Sequence, residues 1–333
     1  MKKTFFLVLI SIPVFLFSQF GNERILIETL GTKYDVEYAD LDNDGDQDVI
    51  TAARRGLVWY ENLLEQDQFS EQILIDKGFF IDLAIGDLDG DNDEDLVAIS
   101  YQDIFTKGRD IRASIILYEN IGINGFKPHL LIADESEYSF YQELNLFDKD
   151  KDGDLEILVG KKDISAPRST DTLLIMDNLG NLSFENPALF YTDESFEYDF
   201  SIYFPYDYDK INLLDLDGDN ALDLVIGVGS FYSSYYDSKI VAYLSSLDQF
   251  IQIHEPESPR VGFFNFSGMD YDNDGDIDLS VITQSNAFWL ENDGSGLNYV
   301  EHILMDSTRI YRNLGSTLFY NIIESSDFNQ DGW

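Results

Sequence analysis

The sequence contains no cysteine and few basic residues. With Cys 0, neither a disulfide framework nor a lipidated N-terminal cysteine is possible. Only 21 lysines and arginines stand against 63 aspartates and glutamates, which gives a formal net charge of −42 at pH 7. This charge argues against nucleic acid and anionic membrane surfaces as partners, and it favours the binding of cations.

The sequence also lacks an apolar run long enough to cross a bilayer. The longest run covers residues 5–17 and follows two lysines, whereas a spanning helix needs roughly 20 residues. Small or polar residues follow it at Ser18 and Gln19, a pattern typical of a secretory signal peptide over residues 1–19. We therefore expect no transmembrane segment, a secreted or cell-surface location, and one domain over residues 20–333.

An acidic motif, D-x-D-x-D-G-x-x-D, recurs along this domain. The five complete copies are DLDNDGDQD from Asp40, DLDGDNDED from Asp87, DKDKDGDLE from Asp148, DLDGDNALD from Asp215 and DYDNDGDID from Asp270. A cut-off copy, DFNQDGW, begins at Asp327, and successive copies start 47 to 67 residues apart. A period near 50 residues is typical of propeller blades.

The residues around each copy repeat as well. An alternating segment with apolar residues four and two places ahead of the first aspartate, such as Val36 and Tyr38, predicts a half-buried first strand. Apolar runs behind the motif, such as VITAA, predict a strand buried on both faces. Segments such as VWYEN, which ends at a turn-forming asparagine, and EQILID predict two further strands. The sequence thus predicts an all-β fold, a β-propeller of four-stranded blades with six repeats visible and the last one truncated.

The fourth-strand pattern also occurs ahead of the first motif, at residues 23–30. We expect this segment to pair with the last repeat and close the ring, because an open ring leaves sheet edges exposed. The sequence ends at Trp333 inside the sixth copy of the motif. We therefore expect the last blade to be completed by residues that follow Trp333.

The motif has the chemistry of a loop that binds a divalent cation. Side chains at places 1, 3 and 5 of a tight loop converge, a backbone carbonyl at place 7 can join them, and the carboxylate at place 9 completes an oxygen cage that suits Ca²⁺. No histidine or cysteine accompanies the acids, which disfavours zinc. Place 6 requires a positive φ, and its residues tolerate one: Gly45, Asn92, Gly153, Asn220 and Gly275.

Two other interpretations of the motif are weaker. A solvated acidic turn explains a single copy, but five copies with β patterns on both sides favour about five Ca²⁺ sites. An EF-hand requires a glutamate at place 12, and that place holds Thr51, Ala98, Val159, Ile226 and Val281.

The segments DLDNDGDQDVI with LVWYEN, and DYDNDGDIDLSVI with FWLENDGSG, resemble the FG-GAP or VCBS repeats of secreted bacterial proteins, which are related to the propeller of integrin α-chains. The resemblance covers residues 23–333 and implies a propeller, usually of seven blades, with Ca²⁺ held between the first and second strands of a blade. It implies these metal ligands: Asp40, Asp42, Asp44, Asp48, Asp87, Asp89, Asp91, Asp95, Asp148, Asp150, Asp152, Glu156, Asp215, Asp217, Asp219, Asp223, Asp270, Asp272, Asp274 and Asp278. Glu156 departs from the pattern by one methylene group, and Asn329 weakens the truncated sixth copy.

The middle repeats carry long connections between their second and third strands, on the side opposite the acidic loops. Tyrosines in these connections and ahead of the fourth motif are candidate ligand-binding residues: Tyr203, Tyr206, Tyr232, Tyr235 and Tyr236. Aromatic rings beside acids suit stacking on sugars or contact with a protein, although they can equally cover an apolar rim between blades.

The histidines, His129, His254 and His302, lie in or beside fourth-strand segments, where we expect a structural role, and no catalytic motif occurs. The leading hypothesis is a monomeric exported calcium-binding propeller that binds an extracellular glycan or protein in adhesion. A polysaccharide lyase or hydrolase on the same scaffold is one alternative, and a structural repeat of a larger surface protein is another.

Overall fold

The computed structural model describes residues 33–63, 68–101, 113–133, 139–163, 170–193, 211–228, 239–255, 263–283 and 287–305. The expected signal peptide at 1–19, the expected closing strand at 23–30 and the sixth motif from Asp327 lie outside these residues. Within the described ranges, no helix is both long and apolar enough to cross a membrane.

The described residues form five four-stranded antiparallel sheets, and in each one the four strands pair in the order in which they follow along the chain. Each sheet is one blade of a β-propeller, and we number the blades 1 to 5 along the chain. This architecture confirms the prediction of an all-β propeller of four-stranded blades. The only helical element in the described ranges is a single 3-10 turn at Gly122–Asn124.

The strands begin and end close to the predicted segments. Blade 1 contains β1 (Lys33–Ala39), β2 (Asp48–Ala53), β3 (Gly56–Tyr60) and β6 (Ile73–Asp76), with a two-stranded ribbon of β4 (Asn62–Leu63) and β5 (Gln68–Phe69) beside them. Blade 2 contains β7 (Phe79–Gly86), β8 (Asp95–Tyr101), β9 (Ala113–Asn120) and β10 (Phe126–Ala133). Blade 3 contains β11 (Ser139–Phe147), β12 (Glu156–Asp163), β13 (Thr170–Met176) and β14 (Ala188–Asp193). Blade 4 contains β15 (Ile211–Leu214), β16 (Asp223–Val228), β17 (Lys239–Leu244) and β18 (Gln249–His254), and blade 5 contains β19 (Phe263–Met269), β20 (Asp278–Thr283), β21 (Ala287–Asn292) and β22 (Tyr299–Met305).

The apolar core is divided among the seams between consecutive blades. In the seam between blades 1 and 2, Ile50 and Ala52 pack with Leu83 and Leu96. Equivalent clusters fill the next three seams, between blades 2 and 3, 3 and 4, and 4 and 5. The second strands β2 and β8 are buried on both faces, as their continuous apolar runs predict. For β8 the cause is a seam on either side, with blade 1 and with blade 3.

The prediction of a half-buried first strand is correct for blades 2 to 4, where Leu83, Leu144 and Ile211 are buried. For Val36 and Tyr38 of blade 1 it is wrong, because these side chains are 39% and 64% exposed. In the later blades, the residue at this place packs against the preceding blade. No blade precedes blade 1 among the described residues, so the same pattern meets solvent there.

The first strands converge, since β1 contacts β7, β7 contacts β11 and β15 contacts β19. Most of them carry a bulge close to their start, which turns an acidic side chain towards the next blade. The backbone N–H groups of Leu83, Leu144 and Ile211 donate to Asp35, Asp82 and Glu143 at 3.2, 2.6 and 3.2 Å. Each of the first three seams is therefore closed near the first strands by a hydrogen bond to a carboxylate.

Candidate metal centres

Each acidic motif is the loop that joins the first strand of a blade to the second. In loop 1, Ala39 pairs with Asp48, and the eight residues between them make the turn. Place 6 has a positive φ in all five loops, between 66° and 104°, as predicted for Gly45, Asn92, Gly153, Asn220 and Gly275. The residue at place 4 also has a left-handed backbone, with φ between 59° and 81°. The sequence analysis did not predict this conformation, although place 4 holds asparagine or glycine in four of the loops.

The place-1 aspartate organises the backbone of each loop. The carboxylate of Asp40 accepts the N–H groups of Asp44 and Gly45 at 3.0 and 2.9 Å. The equivalent residues, Asp87, Asp148, Asp215 and Asp270, each accept two loop N–H groups at 2.8 to 3.2 Å. These bonds fix the turn, because two N–H groups from later in the loop donate to the carboxylate at its start.

The place-9 carboxylate begins the second strand and is buried in all five loops, at no more than 3% exposure. In loop 2, Asp95 accepts the N–H of Leu88 at place 2, at 3.2 Å, and the N–H of Asn120 at the end of the third strand, at 2.8 Å. Asp48, Asp223 and Asp278 repeat this pair of bonds, whereas Glu156 accepts only the N–H of Lys149 from place 2, at 2.7 Å. The place-9 carboxylate thus ties the loop to the body of its own blade.

The structure brings together three of the four predicted ligands in every loop, each offering an oxygen within 4.8 Å of the others. Loop 1 groups places 1, 3 and 5, whereas the other loops group places 1, 3 and 9. The groups are Asp40, Asp42 and Asp44; Asp87, Asp89 and Asp95; Asp148, Asp150 and Glu156; Asp215, Asp217 and Asp223; and Asp270, Asp272 and Asp278.

The predicted ligands outside these groups are Asp48 in loop 1 and the place-5 aspartates of loops 2 to 5, Asp91, Asp152, Asp219 and Asp274. The place-5 side chains instead accept the backbone N–H of place 7, at 2.8 to 3.0 Å in loops 2 to 4. Asp219 also accepts Lys151 Nζ of the neighbouring loop at 2.5 Å, and this ammonium group lowers its pKa.

Burial opposes ionisation of the place-9 carboxylates. It raises the pKa of Asp95 and Asp278 to about 6 and that of Glu156 to about 7, although backbone N–H donors pull each pKa down. The pKa of Asp42, Asp89 and Asp272 at place 3 is also raised, first by lost hydration and then by the neighbouring place-5 aspartate. The loops therefore concentrate negative charge that lacks compensation from the protein itself.

Divalent cations of the Ca²⁺ type fit this donor set. All grouped donors are carboxylate oxygens, and no histidine belongs to any group. In loop 4, Asp217 Oδ1 is buried and has no hydrogen-bond partner, although its other oxygen accepts Ser246 Oγ. A buried carboxylate oxygen without a partner is costly, and a hard cation is the natural partner for it.

The asparagines at the ends of third strands have a role that the sequence analysis missed. We interpreted segments such as ILYEN as strand ends followed by a turn, and that part is correct. In addition, Asn120 Nδ2 donates to the carbonyl of Leu41 in loop 1 at 2.9 Å and to that of Glu94 in its own loop at 3.2 Å. Asn178 and Asn292 make the same pair of bonds, so three asparagines join consecutive loops.

The histidines belong to none of the acidic groups, and the candidate tyrosines lie outside the described residues. The histidines lie on fourth strands as predicted, each beside a glutamate: His129 by Glu119, His254 by Glu301 and His302 by Glu291. The candidate ligand-binding tyrosines, Tyr203, Tyr206, Tyr232, Tyr235 and Tyr236, fall outside the described ranges.

Comparison with known proteins supports the repeat assignment. Residues 40–98, from the start of loop 1 into the second strand of blade 2, match the family model of the FG-GAP-like repeat. This match confirms the resemblance to FG-GAP repeats.

Among solved structures, the chain is similar to an Agrocybe aegerita lectin described by its specific recognition of non-reducing terminal N-acetylglucosamine. The two share 14% identity with a TM-score of 0.38, over 83% of this chain and 81% of the lectin chain. An overlap of this quality says nothing about what this chain binds. No curated protein matches the sequence.

Proposed function

We propose that this protein is an exported binding module whose five loops each hold a Ca²⁺ ion, and whose propeller presents a surface to an extracellular glycan or protein. The observation that supports calcium most directly is the grouping of three carboxylate oxygens within 4.8 Å in each of five loops. In every loop the surrounding backbone is already hydrogen-bonded around the place-1 carboxylate. The N-terminal pattern of residues 1–19 supports export.

The energetics favour a bound cation. Two carboxylates 4.8 Å apart repel by roughly 3 kcal/mol at an effective dielectric constant of about 20. A cation at ten times its dissociation constant adds about 1.4 kcal/mol per site, so five sites supply several kcal/mol. This gain takes the place of disulfide bonds, which a chain without cysteine cannot form.

Calorimetric titration with calcium chloride is expected to show about five sites, and EDTA is expected to lower the Tm by about 10 °C or more. Asp42→Asn removes a grouped carboxylate from loop 1 and should reduce the stoichiometry by one. Glu71→Gln is the matched control, because it removes an exposed carboxylate outside the loops. An unchanged melt in EDTA would refute the calcium proposal.

The binding surface is proposed on the side of the blades opposite the loops. The second strand β8 begins at the loop residue Asp95 and ends at Tyr101, so its connection to β9, residues 102–112, leaves from the opposite end. Residues 229–238 connect the corresponding strands of blade 4, β16 and β17, and their sequence contains Tyr232, Tyr235 and Tyr236. Tyrosines beside acids supply the stacking and hydrogen-bonding groups that sugars and proteins need.

A glycan array followed by incubation with polyuronates tests this surface. We expect binding without product release, and we expect replacement of Tyr235 and Tyr236 by serine to abolish it with little change in Tm. Release of shortened saccharides would contradict a pure binding role and favour a lyase or hydrolase.

A further inference from the structure

Three buried side-chain amides connect the loops of consecutive blades, and we call these connections amide bridges. A fourth amide, Asn43 Nδ2 of loop 1, donates to Asp93 of loop 2 at 2.6 Å, but this bond is exposed and is not counted among them. In each amide bridge, the asparagine that ends a third strand donates to the place-2 carbonyl of the preceding loop: Asn120 to Leu41 at 2.9 Å, Asn178 to Leu88 at 3.0 Å and Asn292 to Leu216 at 2.7 Å. All three asparagines are buried, at 9% exposure or less. Hydrogen bonds shielded from water in this way hold their geometry firmly.

Each amide bridge ends on a residue that lies between two grouped carboxylates. Leu216, for example, follows Asp215 and precedes Asp217, and its own side chain is buried in the seam between blades 4 and 5. The N–H of Leu216 donates to the place-9 carboxylate of Asp223 at 3.0 Å. The backbone of place 2 is therefore fixed from one side by its own loop and from the other by the following blade.

Blades 4 and 5 show a continuous path from one candidate centre to the next. The N–H of Asn292 donates to Asp278 of loop 5 at 2.8 Å, and its side-chain amide donates to Leu216 of loop 4. Leu216 in turn donates to Asp223, so the path joins the place-9 carboxylates of the two loops through one asparagine and one leucine. The same path joins Asp95 to Asp48 through Asn120 and Leu41.

The seam between blades 3 and 4 differs. Ser245 stands where the other blades have asparagine, and its backbone N–H and hydroxyl both donate to Asp223 of its own loop. Place 2 of loop 3 is Lys149, whose ammonium group pairs with Asp177 of its own blade at 2.9 Å. Among the described residues, loops 3 and 4 are joined by the partly exposed ion pair of Lys151 and Asp219, a type of contact that contributes little in water.

We propose that the amide bridges couple cation binding between neighbouring loops, so that loops 1 to 3 form one cooperative group and loops 4 and 5 another. The inference rests on the proposed binding of Ca²⁺ and adds its regulation. A cation that orders the place-1 and place-3 carboxylates also orders place 2, which presents its carbonyl to the asparagine of the next blade. Filling one loop then makes the next one easier to fill, and thermodynamic linkage makes the effect equal in both directions.

Hydrogen exchange measured by mass spectrometry over a calcium titration tests the coupling loop by loop, because the N–H groups at places 5 and 6 are bonded to the place-1 carboxylate. Asp217→Asn disables loop 4. In this variant, we expect the calcium concentration that gives half-maximal protection of the loop 5 N–H groups to rise by about fivefold or more. The corresponding concentration for loop 3 should change by less than about twofold.

Asn292→Ser is the matched second variant, since blade 4 folds with a serine at this place. It should remove the dependence of loop 5 on loop 4 while both loops still acquire protection in calcium. An unchanged loop 5 midpoint in Asp217→Asn overturns the coupling and leaves calcium binding standing, as does an equal shift in loops 3 and 5. A protein with no calcium-dependent protection in any loop overturns both the coupling and the proposed function.

Discussion

Asn43 and Gly45 both adopt left-handed backbone in loop 1, and the same two places are left-handed in the other four loops. Glycine at place 6 was predictable from the motif, because a sharp turn that carries converging carboxylates needs a positive φ. Lys151 at place 4 was not, since lysine has no preference for the left-handed region. Its conformation follows from the hydrogen bonds that the next two residues, Asp152 and Gly153, donate through their N–H groups back to Asp148.

The conformational requirement at place 6 can be measured in loop 3. Gly153 has φ +97°, and a Cβ added there would meet no heavy atom within 4 Å, so a substitution meets backbone strain alone. We expect Gly153→Ala to lower the free energy of unfolding by about 1 to 2 kcal/mol, and Gly153→Asn to cost less. Asn92 and Asn220 already occupy this place at φ 70° and 66°. Chemical denaturation in calcium compares the two variants, and equal costs would contradict this explanation.

The raised pKa values of Asp95, Asp278 and Glu156 predict an unusual pH dependence for the protein in EDTA. A carboxyl whose pKa is higher in the folded state binds more protons folded than unfolded, so stability falls as pH rises from about 4 to about 7. We therefore expect a Tm several degrees higher at pH 5 than at pH 8 without calcium. In calcium the order should reverse, because the cation must displace these protons. A calcium-free Tm that rises with pH over this range would contradict the burial of these groups.

At the scale of the strand, the sequence was a good guide wherever a local pattern decided the structure. The runs VITAA and LVAIS became buried second strands, and the faces of LVAIS pack against blade 1 on one side and blade 3 on the other. The sequence was a poor guide to contacts between blades. The residues around Asn120 predict only that it forms a turn. Its hydrogen bond to Leu41 depends on how blades 1 and 2 pack, and no local sequence pattern predicts that packing. The acids at Asp35 and Asp82 were missed for the same reason, because a bulge turns them towards the next blade.

Ser245 offers a gain-of-function test of the amide bridge. Ser245→Asn places an amide where Asn120 and Asn292 stand, within the reach of the place-2 carbonyl of loop 3. We expect the free energy of unfolding to rise by about 1 kcal/mol, and loop 3 and loop 4 to become dependent on each other in the calcium titration. Ser245→Ala serves as the control, and the same rise in both variants would show that the amide is irrelevant.

At the scale of the whole molecule, the excess of acids over bases gives −42 formal charges. Self-repulsion of this size destabilises the compact state, and added salt screens it because the Debye length falls from about 10 Å at 0.1 M to about 3 Å at 1 M. Raising sodium chloride from about 50 mM to about 500 mM should therefore raise the Tm in EDTA. The gain should be smaller in calcium, because each bound ion offsets two charges at the places where the acids are densest. Equal gains with and without calcium would place the repulsion outside the loops.

The amide bridges also determine the order in which the loops can be finished during synthesis. Each place-2 carbonyl receives its partner from an asparagine 76 to 90 residues further along the chain. At about 5 to 20 residues per second on the ribosome, a loop waits about 4 to 18 s for the residue that completes it. Completion therefore trails the growing chain by about one blade, from the N-terminus onwards, and no loop that carries a bridge can mature before the next blade has emerged.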